Sequence, residues 1–252
     1  MDGMMDQFLP PDDNDYTNRD RQLPVQVAMR QFFQGGYIYD ALLRVTQSVL
    51  PIKSVHEKFD IQLKPGMTYE TLGSDLSTLH FLQLLVRLTG ARHVLEIGTY
   101  IGVSAMFLAE ALKINNGFIV TIEKGKEFDK IARDNFHRNG MLHCIEPILG
   151  DALAVVEDWR GAAARPFDMI FLDGAKQDYA RLLLPLLDLL RPGALLVVDD
   201  VFCQGDTLNL EPTTDKGRGV RNLLDQVAKL EGFSPVILPY GDGLLLLRKP
   251  HG

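Results

Sequence analysis

Two short apolar runs in the second half of the sequence end on carboxylates, Phe171-Leu172-Asp173 and Val197-Val198-Asp199-Asp200. If both runs are strands of one sheet, Asp173, Asp199 and Asp200 lie along the same edge. Carboxylates left unpaired there are costly to ionise, and they are hard oxygen ligands. A divalent cation such as Mg²⁺, with Mn²⁺ and Ca²⁺ as alternatives, would neutralise them. The competing reading makes Asp173 the cap of a following helix and turns Asp199 or Asp200 to water.

A second constellation lies upstream, in Leu95-Glu96-Ile97-Gly98-Thr99-Tyr100-Ile101-Gly102-Val103-Ser104. It follows a strand-like run and opens a helix, the place where open α/β sheets bind ligands and where glycine lets the backbone turn tightly and approach them. The spacing is G-x-x-x-G, not the G-x-G-x-x-G of dinucleotide binders, and Glu96 sets a carboxylate beside the loop. That charge would repel a pyrophosphate and attract an ammonium or sulfonium, which favours S-adenosylmethionine over a nicotinamide dinucleotide. Glu123 ends the next apolar run, 25 residues beyond Gly98, where a Rossmann-like unit places an acceptor for ribose hydroxyls. Alone it could equally be a solvated strand-end charge. Asp151, after Gly150, either caps the next helix or borders an adenine.

These residues need a scaffold. From Arg92 onward short apolar runs at His93–Ile97, Phe118–Ile122, Ile145–Leu149, Met169–Leu172 and Leu195–Val198 alternate with amphipathic stretches. That alternation gives βαβ units, hence a parallel sheet with right-handed crossovers and helices on both faces. Val236–Leu238 and Leu244–Leu247 flank Tyr240-Gly241-Asp242-Gly243, a hairpin signal that makes the last strand antiparallel. Helical spacing recurs over Tyr37–Val49 and Leu76–Leu88. The expected organisation is a tail over 1–24, a helical arm over 25–72 and the main domain over 73–252.

Composition narrows the function. The chain has 252 residues, 46% apolar and 23% charged, with a net charge of −7. A globular α/β domain fits, and the acidic balance argues against broad attachment to nucleic acid or anionic lipid. The apolar stretch Leu182–Leu190 is far short of the ~18 residues a membrane span needs. The N-terminus does not read as a signal peptide, and the only cysteines, Cys144 and Cys203, suit a reducing compartment, so a cytoplasmic protein is expected. Zinc spacings, a Walker loop and a G-x-S-x-G elbow are all missing from the sequence.

Taken together, Glu96-Ile97-Gly98-Thr99-Tyr100, Phe171-Leu172-Asp173-Gly174-Ala175-Lys176-Gln177-Asp178-Tyr179, Val198-Asp199-Asp200 and Gly241-Asp242-Gly243-Leu244 resemble the cation-dependent O-methyltransferases of the caffeoyl-CoA and catechol type, over roughly residues 37 to 249. The resemblance implies a Rossmann-like class I methyltransferase fold with a mostly parallel seven-stranded sheet. It implies that Glu96, Gly98, Thr99 and Ser104 hold the methionine part of S-adenosylmethionine with Tyr100 close by, and that Glu123 takes the ribose hydroxyls. The backbone at Ser74 and Ala152 would complete the pocket. Asp173, Asp199 and Asp200 match the metal ligands, Lys176 the catalytic base, and Gln204 a polar residue on the substrate side. The family usually has Asn where this chain has Asp200, and plant members carry Glu-Gly-Gln where it has Thr78-Leu79-His80.

The resemblance further implies a homodimer acting on a small hydroxylated aromatic. With two neighbouring acceptor oxygens on the cation, one hydroxyl loses its proton near neutral pH, and Lys176 serves as neutral acceptor or cationic stabiliser. Two alternatives stand beside this reading. Some bacterial relatives modify a hydroxylated tRNA uridine, which needs a basic rim that the acidic total disfavours; a non-catalytic S-adenosylmethionine binder is the other.

Overall fold

The computed structural model describes residues 55–66, 73–161 and 166–251. The expected tail over 1–24 and the helix over Tyr37–Val49 lie outside the described residues, and only 55–66 of the arm is described, including a single helical turn, α1 (Val55–Lys58).

Seven strands form one sheet: β1 (His93–Ile97), β2 (Phe118–Glu123), β3 (Ile145–Leu149), β4 (Phe167–Leu172), β5 (Leu190–Val198), β6 (Ser234–Leu238) and β7 (Leu244–Arg248). Their order is β3-β2-β1-β4-β5-β7-β6. The first five run parallel, and β7 is antiparallel to both β5 and β6. The sheet is therefore the expected one, with the last strand inserted between β5 and β6. Strand β5 starts five residues earlier than the apolar pattern suggested. Pro192 lacks a donor and Gly193 has φ 77°, so the pairing slips from Phe167↔Leu190 to Met169↔Leu195, which is the signature of a bulge.

Helices cover both faces. Side chains of β1 and β2 alternate between two cores, Val94 and Ile119 packing with Met106, Phe107 and Phe136 on one side, and Leu95 and Val120 packing with Ile170, Leu183 and Val220 on the other. The first face carries α2 (Leu76–Thr89), α3 (Val103–Leu112) and α4 (Lys126–Arg138); the second carries α5 (Ala152–Gly161), α6 (Tyr179–Leu189) and α7 (Asp215–Val227). Asp75 caps α2 by accepting from Ser77 N (2.9 Å) and Thr78 N (3.0 Å), and Gly90 ends it at φ 64°, the usual pairing of an oxygen cap at the start with a left-handed residue at the end. Among the described residues no helix is long and apolar enough to cross a membrane.

Ladder hydrogen bonds continue one step past the strand ends and set the functional edge. Gly98 N donates to Ile122 O (2.9 Å), Asp173 N to Ile97 O (2.9 Å), Asp199 N to Leu172 O (3.0 Å) and Gly150 N to Glu123 O (2.8 Å). The glycine loop and the carboxylates thus stand in one row at the C-terminal edge of the parallel strands, where such sheets bind ligands.

Candidate active site

A cleft of about 670 Å³ opens above that row. Its floor is the Gly98 loop, packed so tightly on the end of β4 that a Cβ at Gly98 would lie 2.2 Å from the Asp173 carbonyl oxygen, at φ +98°. Tyr100 adopts φ 50° and is held there by Glu123, whose Oε2 accepts from Tyr100 N (2.8 Å) while Oε1 accepts from Gly125 N (2.6 Å). One carboxylate thereby locks the loops after β1 and β2 together. The Tyr100 and Phe128 rings stand 4.7 Å apart and line the cleft, as do Thr99, Ser104 and Ala152.

Asp151 caps the next helix and also lines the cleft. Its Oδ1 accepts from Ala154 N (3.3 Å) at the start of α5, and its Oδ2 pairs with Lys124 (2.8 Å) at the cleft wall. The Lys124 hydrogen bond, more than the helix amide, holds its carboxyl below the usual range.

Glu96 is placed differently from the premise of the charge argument. In β1 it shares a face with Val94, so it points under the helices of the first core and is 0% exposed, rather than facing the loop. Thr121 Oγ1 donates to Glu96 Oε2 (2.5 Å), and Oε1 has no hydrogen-bond partner. Burial drives the carboxyl up to about 8, with the Ser104 and Thr121 hydroxyls working against it. The ligand-free protein therefore holds a neutral acid here at pH 7. An unfolded Glu titrates near ~4.3, so between there and about 8 the folded state carries the extra proton and stability falls as pH rises. Glu96→Gln removes that slope. Its stability relative to the parent is expected to grow steadily from pH 5 to pH 8 in chemical denaturation of the ligand-free protein, and a constant difference across that range would refute the buried-acid assignment.

The carboxylates after β4 and β5 do converge. Ser74 Oγ lies 3.4 Å from Asp173 Oδ2 and 3.2 Å from Asp199 Oδ2. Lys176 Nζ pairs with Asp173 Oδ1 (3.3 Å) and Asp200 Oδ2 (2.7 Å). Asp200 takes φ 56°, and its N–H donates to Asp199 Oδ1 (2.9 Å). Burial pushes the Asp173 carboxyl up to about 6, Lys176 opposing and Asp200 reinforcing the shift. Asp199 is raised well above its ordinary value by burial and then by its two neighbours. Burial works against the Lys176 ammonium, but Asp173 and Asp200 outweigh it and hold the group charged. Among the described residues no three His, Cys, Asp or Glu side chains already stand at metal-ligand spacing; Lys176 and Ser74 bridge the three carboxylates instead.

Of the residues singled out from sequence, Ser74, Gly98, Thr99, Tyr100, Ser104, Glu123, Asp151, Ala152, Asp173 and Lys176 line the cleft. Glu96 sits behind it, and Gln204 is exposed beyond its edge. Lys216 lines it too, from the charged segment Gly205–Arg218 that the sequence places beside the acceptor, as does Phe128, which had not been singled out. Phe128 follows Glu123 by five residues and sits in the first turn of α4, so its position just past a strand end was the available signal.

The O-methyltransferase family model matches residues 60–250. The chain belongs to the O-methyltransferase family. This O-methyltransferase is similar to the catechol O-methyltransferase of Niastella koreensis, at 36% identity over 186 residues covering 74% of this chain and 77% of the relative. It is also similar to caffeoyl-CoA O-methyltransferase 5 of Nicotiana tabacum, at 28% identity over 89% of this chain and 95% of the relative. Among solved structures, the O-methyltransferase TomG from Streptomyces achromogenes, involved in tomaymycin synthesis and crystallised in complex with SAM, superimposes with a TM-score of 0.70 at 30% identity, covering 82% of this chain and 95% of that one. The O-methyltransferase from Bacillus cereus in complex with SAH gives 0.65 at 27% identity over 83% of this chain and 89% of that one. The methyltransferase is thus of the caffeoyl-CoA and catechol type, and its cleft occupies the sheet edge at which the glycine loop and the three carboxylates meet.

Proposed function

We propose that this enzyme moves the methyl group of S-adenosylmethionine to one hydroxyl of a small vicinal-diol aromatic, with a divalent cation, Mg²⁺ by preference, held by Asp173, Asp199 and Asp200. The observation that carries the reading is the cluster in which Lys176 joins Asp173 to Asp200 and Ser74 joins Asp173 to Asp199, with Asp173, Lys176 and Ser74 lining the cleft and Asp199 and Asp200 behind them. The family membership and the relatives named for catechol and caffeoyl-CoA support it.

The donor set suits such an ion. Its oxygens are hard ligands, and burial and mutual repulsion raise two of the carboxyls, a strain that a divalent charge relieves. Bound there, the ion would neutralise the cluster and acidify a neighbouring hydroxyl.

The chain's own residues do the rest. Ser74, Gly98, Thr99, Tyr100 and Ser104 surround the methionine end of the cofactor, with Glu96 as the neutral acid beneath; Glu123 accepts from the ribose, and Asp151 and Ala152 border the adenine. Lys176, paired with Asp173 and Asp200 while the cation is absent, stands beside the acceptor oxygen, as cationic stabiliser with the hydroxyl proton passing to water, or as the neutral group that takes that proton. Acceptor oxygen and methyl carbon then form a bond as the carbon–sulfur bond breaks, leaving S-adenosylhomocysteine. Alignment and charge neutralisation carry the rate. We place the reaction in the cytoplasm, which the two cysteines and the N-terminal sequence favour, and in a homodimer, as the family resemblance implies.

A labelled-methyl assay over catechol, caffeoyl esters, flavonoids and bulk tRNA tests this. Transfer to at least one vicinal diol is expected, lost in EDTA and restored by Mg²⁺. Undiminished transfer in EDTA removes the cation, and transfer to tRNA alone replaces the acceptor.

A further inference from the structure

The turn Tyr240-Gly241-Asp242-Gly243 joins β6 to β7. Because β7 pairs with β5, the turn arrives beside the loop that follows Asp199 and Asp200. Three backbone donors of that loop reach it. Val201 N donates to Gly243 O (3.0 Å), Phe202 N to Asp242 O (2.8 Å), and Gln204 N to both carboxylate oxygens of Asp242, at 2.9 and 2.7 Å.

The third bond differs from the first two. Main-chain carbonyls already tie the turn to the loop, so a carboxylate is not needed to join them. It goes to a single amide, that of Gln204, in the run Cys203, Gln204, Gly205 with φ of 45°, 55° and 90°. Residues with a side chain avoid that region unless their surroundings hold them in it. On its other flank the turn abuts the start of α2, where a Cβ at Gly241 would lie 2.9 Å from Asp75 Oδ2, one residue from Ser74. A further clamp fixes the far end of the loop. Buried Asp206 accepts from the amides and hydroxyls of Thr213 and Thr214 at 2.7–3.0 Å. Gln204 is thus presented from a segment pinned at both ends, with Asp242 setting its backbone.

We propose that Asp242 is a positioning residue for the methyl acceptor, fixing at the edge of the cleft the Asp199–Gly205 loop that carries Gln204 and, at its start, two of the carboxylates of the proposed cation site. The proposal rests on the vicinal-diol reading above. It assigns Asp242 no contact with either substrate.

Steady-state kinetics of Asp242→Ala and Asp242→Asn with S-adenosylmethionine, Mg²⁺ and the best catechol tests it, alongside calorimetric titration of S-adenosylhomocysteine and amide hydrogen exchange. Asp242→Ala is expected to raise the acceptor KM about tenfold, the scale of one lost charge-assisted hydrogen bond. Affinity for S-adenosylhomocysteine should stay within about twofold of the parent, because the Gly98 side of the cleft is untouched. Asp242→Asn keeps one acceptor oxygen for Gln204 N and should recover most of the loss. Exchange at 201–205 should quicken in the Ala variant and stay slow in the Asn variant. Unchanged acceptor KM in Asp242→Ala overturns the proposal, as does a parallel fall in melting temperature, cofactor affinity and activity in both variants. A parent enzyme inactive on every catechol sinks the acceptor reading itself and the proposal with it, and that failure is visible before any substitution is made.

Discussion

Asp173→Ala is expected to lower methyl transfer by roughly 10³-fold or more while leaving a folded protein that still melts cooperatively. Asp173 touches both groups that bridge the carboxylate cluster. Its Oδ1 pairs with Lys176, its Oδ2 faces Ser74, and it lines the cleft beside the Gly98 loop. Removing it leaves Lys176 to Asp200 alone and takes a ligand from the proposed cation. Stability should change little. The carboxyl is desolvated, raised to about 6, and held by few donors, so its loss relieves a burial penalty as it breaks an ion pair. Labelled-methyl transfer and a thermal melt, measured on the same preparation, check both halves. Activity within tenfold of the parent would end the proposed role.

The second large effect is expected from Gly98→Ala. The new Cβ would meet a backbone carbonyl at 2.2 Å, an atom with no rotamer in which to retreat, and would have to do so at φ +98°. Either the loop rises into the cofactor space or the end of β4 moves and takes Asp173 with it. Both routes damage binding, so affinity for S-adenosylhomocysteine should fall by about 100-fold and stability by about 3 kcal/mol. Gly140→Ala is the matched control. Gly140 also has positive φ, +64°, but nothing lies within 4 Å of its added Cβ, so only the backbone preference of about 1 kcal/mol is lost and affinity should not change. Equal affinity losses in the two variants would mean that the contact with Asp173 is irrelevant.

Much of this site was legible because a parallel sheet turns sequence order into spatial order. Apolar runs located β1 and β3 to the residue, and the polar residues ending them fell on one edge. What strand pattern does not encode is how far a side chain lies from water. Glu96 was expected at the loop, yet the two-residue period of β1 sends it under the helices, and an anion in sequence becomes a neutral acid in the fold. Lys176 was legible as a basic residue near Asp173, but its second partner, Asp200, comes from the neighbouring strand β5 across a pairing that linear spacing cannot show. Pro192 and Gly193 hid the first half of β5 because they are read as breakers, whereas the sheet accommodates them in a bulge. The Gln204 clamp was invisible for a related reason: it depends on β7 entering between two strands that precede it.

That late entry has a consequence for how the molecule is made. While residues 244–248 are still inside the ribosome, β5 lacks its antiparallel neighbour and β6 has no partner at all. A nascent chain stalled at that stage would expose an open sheet margin to other chains, the condition under which edge-to-edge aggregation begins. The cofactor loop would already have been synthesised by then, so co-translational ligand could steady the first strands but not close the sheet.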